Sequence, residues 1–262
     1  MEKVVVGISG GVDSFVTALM LQQKGYEVIG VSLELWEKND LSAVESVCRF
    51  LGIPLVYRDE KDLFRRRIVE TFIRDYAAGY TPSPCCVCNG EVKWEAWNRA
   101  AEAYGASKIA TGHYVRIRKS GEKYYIRQGV DTCKDQSYFL YALSQKILSK
   151  VLTPLGDYTK EEVKAWALSH GYEDMAHRKE SMGICFLRGT DYRDFIRQYG
   201  GIKLEPGVVL DRSGRVIGQH AGLLNYTVGQ KRDMPLRYGE PMYVAAIDSR
   251  RNVIVADNKA GR

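Results

Sequence analysis

Residues Gly7 to Phe15 read GISGGVDSF and follow directly on the valine run Val4–Val6. That run, with Ile8, has the length and β-branched content of a buried strand. Phe15, Val16, Leu19 and Met20 then recur at helical spacing until Gly25 ends the helix. A strand that turns sharply into a helix points the helix's unpaired N–H groups, and the positive end of its dipole, beyond the sheet edge. The adjacent glycines Gly10 and Gly11 let the backbone come close to a ligand, and Ser9 and Ser14 add hydroxyl donors. Gly7, Ile8, Ser9, Gly10, Gly11, Val12, Asp13 and Ser14 therefore form a candidate phosphate cradle. Asp13 would be repelled by a bare phosphate, so a magnesium ion is expected between them. The lysine of G-x-x-x-x-G-K-[ST] is missing, which excludes the ordinary triphosphate loop.

Working outward, strand and helix patterns alternate through the first hundred residues. Strands are predicted at Val28–Leu33, Leu55–Tyr57 and Lys108–Thr111. Helices are predicted at Ala43–Leu51, along Phe64, Ile68, Phe72 and Tyr76, and around Lys93–Tyr104. This alternation predicts an α/β fold, a parallel sheet with helices on both faces. Val115–Arg127 alternates about a Ser-Gly turn and reads as an exposed basic hairpin, with phosphate binding as one use for its cations. Thr159-Lys160-Glu161-Glu162 is a capping box opening a short helix that ends near Gly171. After Gly200 the texture changes to short apolar segments between turns, and a small all-β domain is expected over 201–262, the first domain covering 1–200.

The chain has 262 residues, enough for a large domain and a small one, and a net charge of +6 that permits an anionic partner without demanding one. MEKVVVGISGG contains no long apolar leader and the sequence no span of about 20 apolar residues. A cytoplasmic protein without membrane contact is the expectation. Three of the six cysteines fall in TPSPCCVCNG, residues Thr81–Gly90. In a reducing compartment a structural disulfide there has little use. A redox pair, a metal corner and sulfur handling stay open. Cys48 sits on the Val44–Val47–Cys48–Leu51 helix face and reads as core, while Cys86 and Cys133 read as bystanders.

SGGVDS matches the signature of the PP-loop ATP-pyrophosphatases, which cleave ATP between its α and β phosphates. TP-x-P-x-x-x-CN at Thr81–Asn89, ATGHY at Ala110–Tyr114, KDQSYFLY at Lys134–Tyr141, GICF at Gly183–Phe186 and GQHAGLLNYTVGQKR at Gly218–Arg232 resemble, in order, the tRNA-specific 2-thiouridylases. The resemblance implies a PP-loop fold and ATP-dependent replacement of the C2 oxygen of a tRNA wobble uridine by sulfur. It implies that Leu33 and Gly112 join the nucleotide loop, and that Ser83, Pro84, His113, Lys134, Asp135 and Gln136 meet RNA. It also implies that Cys88 carries a persulfide and Cys185 resolves it, with sulfide or a persulfide carrier fed by a cysteine desulfurase as sulfur donor. Family members usually continue for about a hundred further residues as a β-barrel, and that part is expected to be absent here.

Many family members carry Asp where this chain has Cys85, and others carry Cys. Cys85, Cys88 and Cys185 could then be three ligands of a [4Fe-4S] cluster whose fourth iron binds hydrosulfide. A persulfide without a cluster and a zinc site are the alternatives. Argininosuccinate and GMP synthases share the loop but would need no cysteines at these places. A non-catalytic RNA-binding or iron–sulfur carrier on the same fold would need no intact Ser9–Ser14 loop.

Overall fold

The structure is a computed structural model that describes residues 1–37, 41–173, 183–234 and 242–258. The chain divides into two compact units, Met1–Arg67 with Cys85–Met182, and Ile68–Pro84 with Gly183–Arg262.

The first unit is built on strands β1 (Lys3–Gly7), β2 (Glu27–Glu34), β3 (Leu55–Asp59), β4 (Lys108–Ala110) and β7 (Val151–Leu152). They form one sheet in the order β3-β2-β1-β4-β7, parallel throughout. Val4, Val5 and Val6 of the central strand are all fully buried. Side chains alternate across a strand, so Val4 and Val6 pack with Phe15 and Val16 of α1 (Val12–Gln23), and Val5 packs on the other face with Trp94, Trp97 and Ala100. Helix α2 (Ser42–Leu51) covers the first face through Val44, Val47 and Cys48. Cys48 is core as expected, and burial pushes its thiol up to about 11, so it is inert.

The cysteine stretch is helical. Pro84 opens α5 (Pro84–Cys88), where its missing N–H costs nothing, a π-helical turn follows at Asn89–Lys93, and α6 (Trp94–Ala103) continues from it. The hairpin β5 (Val115–Ser120) and β6 (Lys123–Gln128) lies where its period-two pattern predicts. Ile117 and Ile126 are paired across it and pack against the core, leaving Arg116, Arg118 and Arg127 on the other face. Helix α8 (Lys160–Ser169) starts with the predicted capping box, Thr159 accepting from the Glu162 N–H and Glu162 accepting from the Thr159 N–H. The two-residue strand β7 has no counterpart in the sequence reading, being too short to show a period.

In the second unit, Phe72 of α4 (Glu70–Ala77) meets Phe186 and Phe195 edge-on, and Tyr76 stacks on Tyr192 with ring centroids 4.6 Å apart. Phe195 and Tyr192 belong to α9 (Tyr192–Gly200). The strands after Gly200 are β8 (Gly207–Leu210), β9 (Val216–His220), β10 (Tyr243–Asp248) and β11 (Val253–Asp257), ordered β10-β11-β8-β9 around Val209, Val244, Ile254 and Ala256.

Gly156 ties the hairpin to the first unit, because a Cβ there would stand 2.0 Å from the Val115 carbonyl oxygen. Gly156→Ala should force the backbone apart and cost about 3 kcal/mol. Thermal unfolding measures this, and an unchanged Tm would contradict the packing.

Candidate functional site

Strand order reverses between β1 and β4, and ligands of open α/β sheets bind at the carboxyl ends of the strands flanking such a point. A cavity of about 490 Å³ opens there. Its walls come from Gly7, Ile8, Ser9, Asp13 and Ser14 after β1, and from Gly112 and His113 after β4. Leu33 and Gln136 line it as well. Gly10, Gly11 and Val12 shape the turn without lining it. Gly10 has φ +78°, and a Cβ there would come within 2.8 Å of Ala43 Cβ. Ser14 Oγ donates to the Gly11 carbonyl at 2.9 Å and accepts from the Ser9 N–H at 3.2 Å, so these hydroxyls hold the turn closed as well as facing the cavity.

Asp13 was expected to hold magnesium. Instead both its oxygens accept from Lys160 Nζ, at 2.7 and 2.9 Å, and Oδ1 also accepts from the Tyr114 hydroxyl at 2.7 Å. The Lys160 side chain is 3% exposed, and Asp131 accepts from its backbone N–H at 3.0 Å. A buried ammonium needs a close anion, and Asp13 is that anion. The donor set does not fit a magnesium ligand, because a cation already occupies both oxygens. Gly112 completes the contact: a Cβ there would lie 2.8 Å from Asp13 Cβ.

Lys93 and Trp97 also line the cavity, both from the cysteine-bearing helical stretch. The Trp97 indole N–H is buried without an acceptor among the described residues. His113 shares a 2.7 Å hydrogen bond with Thr111 Oγ1 through Nδ1. Burial, then the charge of Lys93, pushes its imidazole down to about 3, so it faces the cavity neutral. Sequence reasoning missed Lys160, Tyr114, Lys93 and Trp97 as site residues. The capping box that seats Lys160 was visible, but its contact with Asp13, 147 positions away, was not.

The expected RNA residues divide. Asp135 accepts from the Gly129 N–H and the Ser137 hydroxyl, and Gln136 exchanges hydrogen bonds with the Tyr114 backbone. Both brace the loop. Lys134 is half-buried and Ser83 exposed, while Pro84 is buried as the start of α5. Of the hairpin cations, Arg118 pairs with Asp157 at 2.7 Å.

Cys85 and Cys88 sit three residues apart on one helical turn, Cys85 half-buried and Cys88 4% exposed. Cys86 is buried and donates to the Tyr138 carbonyl, as suits a bystander. Cys185 is exposed and belongs to the second unit. Among the described residues no three His, Cys, Asp or Glu side chains gather in a set that could hold a metal ion. Of the three thiols expected to ligate [4Fe-4S], Cys85 and Cys88 lie in the first unit and Cys185 in the second.

A parallel sheet with a glycine-turn phosphate cradle at its switch point, and no P-loop lysine, defines a PP-loop nucleotide-binding enzyme fold. The family model described as tRNA methyl transferase HUP domain matches residues 2–189, and that described as tRNA methyl transferase PRC-barrel domain matches 193–257. Proteins named tRNA-specific 2-thiouridylase MnmA are similar at 41% identity in Roseiflexus castenholzii and 42% in Moorella thermoacetica, each over 97% of this chain and 76% of the relative. The chain belongs to the tRNA-specific 2-thiouridylase family. Among solved structures, a 4-thiouridine synthetase–RNA complex with bound ATP superposes with a TM-score of 0.48 at 16% identity, covering 75% of this chain and 50% of that one.

The His113 environment sets a pH dependence. Its folded pKa lies below the ordinary 6.5, so the unfolded chain binds the extra proton between pH 6.5 and about 3, and stability falls as pH drops through that window. His113→Gln should flatten this part of the stability–pH curve, measured by denaturant unfolding. An unaltered slope would mean that His113 titrates normally.

Proposed function

We propose that this protein inserts sulfur at C2 of a uridine in tRNA, most specifically the wobble uridine, with ATP as the activating substrate. One observation carries the reading. The cradle that takes a phosphate and the helical stretch that bears Cys88 meet the same cavity, the latter through Lys93 and Trp97.

The chemistry asks for both. The C2 carbonyl of uracil is a poor electrophile. Its oxygen attacks the α-phosphorus of ATP, an O–P bond forms, and the bond to the leaving pyrophosphate breaks. The exposed N–H groups at the start of α1 and the Ser9 hydroxyl stabilise the phosphate charge in that step. A persulfide on Cys88 then attacks C2 with its outer sulfur, and the C2–O bond breaks to release AMP. Attack of the Cys185 thiolate on Cys88 Sγ cleaves the S–S bond and leaves the outer sulfur on the base. A dithiol reductant cleaves the Cys88–Cys185 disulfide, and a persulfide donor then passes its outer sulfur to the Cys88 thiolate and leaves as a thiol. His113, neutral on the cavity wall, offers a hydrogen bond without adding charge. Lys134 and Ser83 keep the RNA contacts that family membership suggests. Magnesium enters with ATP as its counter-ion, and no step is assigned to it or to an iron–sulfur cluster.

The names of the relatives support thiolation. The matched family descriptions speak of methyl transfer, but that reaction has no need of an ATP loop joined to a thiol-bearing helix. Among the described residues no helix is long and apolar enough to cross a membrane, in keeping with an RNA substrate.

Nucleoside mass spectrometry of tRNA from a strain lacking the gene tests the reading directly. Loss of 2-thiouridine, restored by the wild-type gene and not by Cys88→Ala, is expected. Unchanged 2-thiouridine in every tRNA would overturn it. Protein purified without oxygen should be colourless, and about four irons per active chain would replace the persulfide route by a cluster.

A further inference from the structure

The charges around the cavity are allotted unevenly. Asp13 contributes the carboxylate, but Lys160 and Tyr114 already bind it from behind, and Lys160 does not line the cavity. His113 is held neutral. Among the described lining residues, Lys93 is the one that brings a positive charge, and that charge reaches far enough to act on the His113 ring. The phosphate loop itself has no lysine.

We propose that Lys93 is a catalytic residue of this site, the cation that binds the α-phosphate of ATP and keeps hold of it through the adenylated base to the departing AMP. The inference rests on the nucleotide reading given under Proposed function. Three features of the structure support it. First, Lys93 closes the π-helical turn Asn89–Lys93 that begins directly after Cys88. An i→i+5 turn accommodates about one residue more than an α-helical turn, and such turns recur at functional sites. The fifth residue after Cys88 is thereby brought nearer to the Cys88 side than it would be in an α-helix. The fourth, Val92, is fully buried. Second, Trp97, one α-helical turn beyond Lys93, lines the same cavity and carries a buried indole N–H with no acceptor among the described residues. Third, a cation with three donors on a flexible stem can follow the α-phosphate while its substituent changes from pyrophosphate to the uracil oxygen, whereas the fixed N–H groups of the loop cannot.

The chemistry gives this placement a purpose. Both steps have the α-phosphate at their centre, first as electrophile and then as part of the leaving group. The sulfur nucleophile is anionic and approaches a base that carries an anionic phosphate. A cation between the two lowers that repulsion, and Lys93 lies on the helical stretch that carries Cys88.

The test separates phosphate binding from folding and from overall activity. AMP and adenosine are titrated into wild-type protein, Lys93→Met and Lys93→Arg by calorimetry, with thermal melts as a folding control. Lys93→Gln replaces the methionine variant if that one melts early. The wild type should prefer AMP to adenosine. Lys93→Met should lose at least tenfold of that preference with adenosine affinity within about twofold, as removal of a charge-assisted hydrogen bond predicts. Lys93→Arg should keep most of it. ATP–pyrophosphate exchange measured in the presence of tRNA should fall in parallel. A Lys93→Met protein with the wild-type preference for AMP would overturn the assignment to Lys93 while leaving the nucleotide site intact. Wild-type protein that binds neither ligand would instead overturn the nucleotide reading on which the assignment rests.

Discussion

The contact on which the site depends is the ion pair between Lys160 and Asp13. It joins the first turn of α1 to the first turn of α8, and Tyr114 bonds the same carboxylate from the end of β4. An ammonium at 3% exposure is costly unless paired, so this arrangement fixes three chain segments at once. The glycine turn before α1 is held from within by Ser9 and Ser14 and from behind by this pair. The loop is therefore formed before ligand arrives, and its N–H groups need no reorganisation to meet a phosphate.

That constraint explains the division of labour among the charges. Asp13 is absorbed by the scaffold, so the cation that meets the substrate must come from another element, and the helical stretch after the cysteines supplies it. The π turn between Cys88 and Trp94 is the local irregularity that lets a cysteine-bearing helix and a cavity-lining helix be one continuous stretch. Cys88 is buried in a helix of the first unit, and Cys185 is exposed in the second.

Much of the first unit was legible in the sequence, because its signals are local. The valine run, the glycine turn and the apolar period of α1 each reside within a dozen residues, and the capping box at Thr159 is a four-residue pattern. The helical form of TPSPCCVCNG was not read, since three cysteines carry neither a period nor a strong propensity, and Pro84 alone marks the start. The texture change near Gly200 marked where the later strands begin. It gave no sign that Ile68–Pro84 joins the unit that starts at Gly183, where Phe72 and Tyr76 contact Phe186 and Tyr192. Asp13 was read as a metal ligand because its partner lies 147 positions away, and no sequence spacing announces a contact of that kind.

A double-mutant cycle on Asp13→Asn and Lys160→Met, read by denaturant unfolding and by ATP affinity, tests the central claim that this pair preforms the loop. Asp13→Asn alone should cost about 3 kcal/mol by stranding the buried ammonium. The two substitutions together should cost far less than their sum, a coupling of about 2 kcal/mol, and either one should weaken ATP binding. Additive effects on stability, with ATP affinity unchanged in the Lys160 variant, would contradict the account.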